Sequence, residues 1–505
     1  MDAYYQASRM PQETRMHKHL RLALATASAA ALTGGLLTFT AATATAADSV
    51  HQPVADFNGD GYGDVAYSAV GANVGGNNFA GQIVALYGSA NGVTSTKRTT
   101  ISQNTPGIPD SAETGDCFGQ DPAYGDFNGD GYDDLAVSAA LEDAGGDRDT
   151  GTVVIVWGSP KGLSGATTLK DPAPVTHGDW GKSLAAGDFD GDGKQDLAVG
   201  TASRTIHVFK GGIAKSGKAG GRYTFEPPIK SEEFTGAVNL TAGAVNGDKR
   251  TDLIVTGWDP DSEKRLIVNY YVPGTASGLS VSSAQQLKSG IVSGIGDING
   301  DGYGDIVTGE DWDPSDGDVL SGPDAVTGGQ VHIAYGSASG PGTAVAVTQD
   351  TGNVPDSSEI RDEFGNDLSL GDINGDGFQD LVVGVSGESL NGVGDTGAVT
   401  VLYGSASGLD TDSGLQHFAQ STAGVPGADE RYDHFGSEVK LTDVTGDGKA
   451  DLTVGASGEN GGNGRVVYLP SDGTKITTTG SRTLSASSVG LSTKGSPGFG
   501  GQAAN

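Results

Sequence analysis

The chain has 505 residues, with 63 Asp plus Glu against 30 Lys plus Arg and a formal net charge of −33 at pH 7. Phosphate backbones need a basic surface, so this charge excludes nucleic acid as a partner and favours cations. A single cysteine, Cys117, excludes an internal disulfide, which leaves the core and bound ions to supply stability.

Residues 1–47 read as a secretory signal peptide. Arg15, His17, Lys18, His19 and Arg21 lead into a Leu/Ala-rich run ending Ala44-Thr45-Ala46, with cleavage expected near Ala46-Ala47. The residues before Met16 read as an over-extension of the reading frame. Nothing later is apolar enough to span a bilayer. The mature chain, residues 48–505, is therefore expected to be one exported domain, not membrane-spanning, and monomeric.

From there the chain repeats. Asp-x-(Asn/Asp/Thr)-Gly-Asp-Gly-x-x-Asp occurs six times, at Asp56 to Asp64, Asp126 to Asp134, Asp188 to Asp196, Asp297 to Asp305, Asp372 to Asp380 and Asp443 to Asp451. A seventh, damaged copy runs from Ala244 to Asp252. First positions lie 53 to 75 residues apart, a period that points to a repeat architecture.

Four units open with an aromatic-glycine pair eight residues before the first Asp, at Phe118-Gly119, Trp180-Gly181, Phe364-Gly365 and Phe435-Gly436. After the acidic loop comes an apolar run of strand length, such as Leu135-Ala136-Val137 or Leu381-Val382-Val383. A Gly-rich stretch follows, then a second run ending in an aromatic, as in Ile83 to Tyr87, Val153 to Trp157, Val331 to Tyr335 and Val399 to Tyr403. Helical periodicity is nearly absent. Seven units of this length, each with room for four short strands, predict an all-β, seven-bladed propeller. A last Phe499-Gly500 has no acidic loop after it, while the first unit lacks its aromatic-glycine. The C-terminal strand is therefore expected to complete the first blade.

The ordered set Phe-Gly, Asp-x-Asn-Gly-Asp-Gly-x-x-Asp and Leu-x-Val-Gly-Ala resembles the FG-GAP repeat of the integrin α-subunit N-terminal propeller and its bacterial relatives, over essentially all of residues 48–505. The resemblance implies calcium in the strand-to-strand hairpins on one face of the ring and partner recognition on the other. It is specific for fold and metal and much less so for the partner.

The loops themselves support calcium. Oxygens at positions 1, 3 and 5, a turn glycine at 6, a carbonyl at 7 and a carboxylate at 9 make a cage for a hard cation. The expected ligands are Asp56, Asn58, Asp60, Tyr62 and Asp64; Asp126, Asn128, Asp130, Tyr132 and Asp134; Asp188, Asp190, Asp192, Lys194 and Asp196; Asp297, Asn299, Asp301, Tyr303 and Asp305; Asp372, Asn374, Asp376, Phe378 and Asp380; and Asp443, Thr445, Asp447, Lys449 and Asp451. Tyr62, Tyr132, Lys194, Tyr303, Phe378 and Lys449 would contribute backbone carbonyls. Position 12, acidic in EF-hands, is Tyr67, Val137, Val199, Thr308, Val383 or Val454 here. In the damaged copy Ala244 removes the first ligand, Lys249 replaces the turn glycine and Arg250 follows. No ion is expected there, and Asp248 and Asp252 are expected to be held by those basic neighbours. Six Ca²⁺ would offset about twelve of the negative charges.

The recognition face would carry Trp258 and Trp312, each in Trp-Asp-Pro, the second beside Glu310, Asp311, Asp313, Asp316 and Asp318. An exposed Trp beside carboxylates stacks on a sugar or cages a cationic group; packing within its own blade is the competing reading. Asn239-Leu240-Thr241 matches a glycosylation sequon. No Gly-x-Ser-x-Gly, His-Glu-x-x-His or phosphate loop is present, and the histidines are scattered. The expected function is a non-catalytic extracellular binding or adhesion module for a protein or glycan. The alternative is a secreted hydrolase or lyase on a propeller scaffold, related to the phospholipase D-type FG-GAP proteins.

Overall fold

The structure is a computed structural model that describes residues 54–143, 149–174, 178–231, 236–263, 266–314 and 324–504. The signal-peptide segment with its cleavage point, His51, His177, Asp316 and Asp318 lie outside the described residues.

Twenty-seven described strands form seven antiparallel sheets, and in every sheet strands consecutive in sequence lie side by side. Each sheet is one blade. The strands at the inner edge, Pro122–Gly125, Leu184–Gly187, Asn239–Gly243, Val292–Gly296, Phe364–Gly371 and Phe435–Thr442, contact the next in order around the ring.

The apolar pattern follows from this packing. The second and third strands of a blade, such as Asp134–Ala139 and Thr152–Val156, are buried along all or nearly all of their length because a neighbouring blade covers each face. They therefore read as continuous apolar runs. The outermost strand Gly221–Phe225 lies at the rim and alternates between exposed and sheltered positions. Among the described residues no helix is long and apolar enough to cross a membrane.

Ring closure takes the form expected. The first blade has three strands of its own, Val65–Ala69, Gln82–Leu86 and Arg98–Ile101. Its inner position is filled by the chain end: the Ser68 amide donates to the Gln502 carbonyl at 2.8 Å, and the Ala504 amide to Ala66 at 2.8 Å. Phe499 packs edge-on against Tyr67, with ring centroids 6.1 Å apart.

The aromatic-glycine pairs join successive blades. Phe118, Trp180, Phe364, Phe435 and Phe499 are buried, and each donates its amide to the blade before it, for example Phe364 to Gly328 at 2.8 Å and Phe435 to Thr396 at 2.9 Å. Gly397 receives the Phe435 backbone so closely, at φ 81°, that a Cβ there would collide with it. A second junction uses the aromatic just after the third strand, Tyr87 or Tyr335, or one on the outermost strand, Tyr223. The Tyr87 hydroxyl accepts from the Leu163 amide at 2.8 Å, Tyr223 from Leu279 at 2.9 Å and Tyr335 from Leu409 at 3.1 Å. Trp157 belongs to a buried cluster, its indole donating to Thr167 at 3.1 Å.

Candidate metal centres

In six blades the acidic nonapeptide is the hairpin between the first and second strands, and in the first it leads from the Ala55–Asp64 bridge into Val65–Ala69, so all seven open on the same face. The position-1 carboxylate organises the loop around itself. Asp56 accepts the amides of Gly59, Asp60 and Gly61 at 2.7, 3.2 and 2.9 Å. Asp126, Asp188 and Asp443 repeat the pattern with their own loops. Asp297 accepts from Asp301 and Gly302, and Asp372 from Gly375 and Gly377. The glycines at positions 4 and 6 have positive φ, for example 70° and 82° at Gly59 and Gly61. In the third loop this turn brings the position-3 carboxylate of Asp190 to that of Asp188.

Position 9 has a second task. Asp64 is buried and accepts the Phe57 amide on one oxygen and the Gly88 amide on the other, both at 2.9 Å. It thus ties the loop to the end of the third strand. Asp305 holds Ile298 and Gly336 in the same way, and Asp380 holds Ile373 and Gly404. Burial pushes these carboxyls up, to about 8 at Asp64 and Asp380 and about 7 at Asp134, Asp196, Asp305 and Asp451. Their neighbours in the loop add negative charge, so a bound cation is what would keep them ionised.

The third loop tests the fit most sharply. Carboxylate oxygens of Asp188, Asp190 and Asp196 lie within 4.8 Å of one another. The Oδ1 of Asp196 accepts from Gly211 at 2.7 Å, while its Oδ2 is buried without a hydrogen-bond partner. An all-oxygen set with an orphaned buried carboxylate oxygen suits calcium. Lysine ammoniums rest on loop carboxylates here and in three other loops: Lys210 on Asp190, Lys194 on Asp192, Lys215 on Asp130, Lys97 on Asp60 and Lys449 on Asp447. Most of these pairs are solvent-exposed and correspondingly weak.

The damaged loop keeps its shape by other means. Lys249 takes the turn position at φ 72°, and Arg250 pairs with Asp248 at 2.9 Å, as expected from the sequence. Asp252 departs from that expectation. Its partners are the amides of Val245 at 3.0 Å and Gly274 at 2.8 Å and the hydroxyl of Tyr271 at 3.1 Å, and its carboxyl rises only to about 6. Tyr271 pairs across the sheet with Ile254, two residues beyond Asp252. Tyr468 holds the same position two residues beyond Asp451, in the loop where Thr445 replaces a stronger ligand. The two loops that depart from the repeat are thus the two with a tyrosine there; Ala85, Ile155, Val208, Ile333 and Val401 stand at that position elsewhere.

On the opposite face the tryptophan expectation needs correcting. Trp258 ends the strand Asp252–Trp258 at 5% exposure, packed in an apolar cluster with Ile267, Ile291 and Val292, and Trp312 is half-buried against the same cluster. A stacking platform needs an open ring face, which Trp258 lacks. Glu310 is likewise buried, bonded to Ser289, Gln330 and His332. The sequon fails sterically, because Asn239 is buried on an inner strand and donates to Ile291 at 2.9 Å. Burial pushes the Cys117 thiol up to about 11, away from a reactive thiolate. What this face does expose is Phe79, Leu141, Ile360 and Tyr432, in loops of four blades that are consecutive around the ring.

Comparison with known proteins agrees with this geometry. The FG-GAP repeat family matches residues 180–219, 364–402 and 435–469, and the FG-GAP-like repeat matches residues 126–199. Phosphatidylinositol-glycan-specific phospholipase D from Mus musculus is 34% identical over 146 residues, covering 29% of this chain and 17% of that protein. The Bos taurus protein of the same name is 27% identical over 274 residues, 49% of this chain and 32% of its own length. Integrin alpha-PS2 of Drosophila melanogaster is 27% identical over 226 residues, 40% of this chain and 15% of the integrin. The chain thus spans a third or less of each of these relatives.

Proposed function

Starting from a chain that carries FG-GAP repeats and belongs with the integrin-α-like propellers, we propose that it is an exported, calcium-stabilised binding module without catalytic activity of its own. Six hairpins would each take one Ca²⁺ through side-chain oxygens at positions 1, 3, 5 and 9 and the position-7 carbonyl. The damaged fourth loop would take none. The observation that carries this reading is the third hairpin, where three carboxylates converge around a buried oxygen that has no other partner. Extracellular calcium sites commonly bind at about 10⁻⁴ to 10⁻³ M, so each ion would contribute about 1 kcal/mol at millimolar calcium.

Recognition would use the loops opposite the hairpins. Phe79, Leu141, Ile360 and Tyr432 would supply its apolar contacts on consecutive blades. An extracellular protein or glycan is the expected partner.

A protein and glycan binding array, run with millimolar calcium and with chelator, tests the reading. Binding that needs calcium and is lost in Tyr432→Ala and Ile360→Ala supports it. Binding indifferent to both changes removes the recognition face, and turnover of a phosphodiester or glycan replaces the module with a hydrolase.

A further inference from the structure

Three of the seven blade junctions share a second acidic frame that lies away from the hairpins. An interblade loop supplies Gln, Glu ten residues later and Asp three beyond that: Gln103, Glu113 and Asp116; Gln349, Glu359 and Asp362; Gln420, Glu430 and Asp433. The following blade adds a Glu eight residues after its position-9 Asp, namely Glu142, Glu388 or Glu459. All of these except the three loop glutamates are buried. Each glutamine amide nitrogen donates to that Glu: Gln103 to Glu142, Gln349 to Glu388 at 3.0 Å and Gln420 to Glu459 at 2.7 Å. Each Asp accepts the amide of its loop glutamate, as Glu359 donates to Asp362 at 2.6 Å.

Two observations go beyond a simple acidic cluster. The amide oxygens of Gln103, Gln349 and Gln420 are all buried without a hydrogen-bond partner, although each glutamine is only 2% exposed. A buried carbonyl oxygen left unpaired is costly unless something occupies it; at Gln420 the Arg465 guanidinium lies against the same glycine, Gly427, as the amide, which leaves the Gln103 and Gln349 junctions. The second is a natural substitution within the frame. At the last junction Arg465, the first residue of its strand, donates to Glu459 Oε1 at 2.6 Å, beside Asn460 at 2.8 Å. There the oxygens of Glu430, Asp433 and Glu459 close to within 4.8 Å of one another. Thr152 and Ala398 begin the corresponding strands of the other two junctions, and neither brings a charge.

We propose that the junctions at Glu142 and Glu388 each bind a hard divalent cation, calcium, between an interblade loop and the next blade, where Arg465 supplies the positive charge at the third. The ligands are the Gln amide oxygen, the buried Asp and Glu carboxylates and the loop glutamate, with water completing the shell. Burial first, with Asp362 and Asp356 adding negative charge, raises the Glu388 carboxyl, and burial with Asp116 and Asp110 raises that of Glu142; the site itself rests on the buried Gln, Asp and Glu set and its unpaired amide oxygen. The ion would lock adjacent blades together directly beneath the proposed recognition loops.

Metal analysis after dialysis against calcium, on the wild type, Asp362→Asn/Glu388→Gln and the hairpin variant Asp376→Ala, decides the point. One ion fewer per chain in the double variant supports the junction site; a count equal to the wild type overturns it. Asp376→Ala reports on the hairpins alone, so failure of either set of sites is read separately. If the double variant does not fold, the exposed Glu359→Ala is expected to weaken calcium at one site about tenfold, and unchanged binding would equally overturn the proposal.

Discussion

The Tyr271 hydroxyl donates to the buried carboxylate of Asp252 at 3.1 Å, in the one hairpin that has lost its first carboxylate and its turn glycine. It also accepts from the Asn246 side chain at 3.1 Å. A fixed hydroxyl and the Arg250–Asp248 pair thus hold a hairpin that in other blades is built round a cation-binding set. Tyr271→Phe removes one hydrogen bond from a buried carboxylate and should cost about 1–2 kcal/mol. Chemical denaturation should show that loss while the calcium content stays unchanged.

The same carboxylate gives a pH dependence. Burial raises Asp252 from 3.8 to about 6 in the folded chain. The folded state then holds its proton more tightly than the unfolded state, so this group's contribution to stability falls as pH rises from about 4 through about 6. A shift of about two units corresponds to about 3 kcal/mol as an upper figure. The stability difference between the wild type and Asp252→Asn, measured at pH 4 and pH 7.5 in calcium, should move against the wild type at the higher pH. A difference independent of pH contradicts the assignment.

Glycines with similar dihedrals should respond very differently to a methyl group. Gly397 at φ 81° has the Phe435 backbone against it, while Gly377 at φ 92° has open space. Gly377→Ala meets only the left-handed backbone cost, about 1–2 kcal/mol. Gly397→Ala must also push two blades apart and should cost 3 kcal/mol or more, in the range of severe core damage. Thermal melts of the two variants give the comparison.

Removing residues 499–505 should open the ring. Phe499 is fully buried against Tyr67, and Gln502 and Ala504 fill the inner edge of the first blade. Losing the Phe499 side chain alone costs about 3–5 kcal/mol, and the exposed edge adds to it. Limited proteolysis should cut the truncated chain first in the first blade; protection equal to the full chain would contradict closure at this point.

Much of this was legible because it is periodic. The spacing of the Asp loops counts the blades, and the unpaired Phe499-Gly500 marks the closing segment. What sequence could not resolve depends on neighbours across a blade junction. Trp258 reads as a loop residue in Trp-Asp-Pro, yet the adjoining blade covers it. Asn239 satisfies a sequon but donates to Ile291, just before the next inner strand. The paired Gln and Glu of the junctions lie 39 residues apart in each case, so no local motif contains both. Tyr271 was hidden for another reason: its aromatic ring suits a buried strand, and only its register shows that its hydroxyl meets Asp252.

The central claim is that the acidic hairpins are calcium sites and that the damaged one is held without an ion. An anomalous difference map from crystals grown in calcium, collected at long wavelength, tests it most directly. The account predicts peaks in the loops beginning at Asp56, Asp126, Asp188, Asp297, Asp372 and Asp443, and none between Ala244 and Asp252. Empty hairpins at millimolar calcium, or a peak beside Asp248 and Asp252, would contradict it.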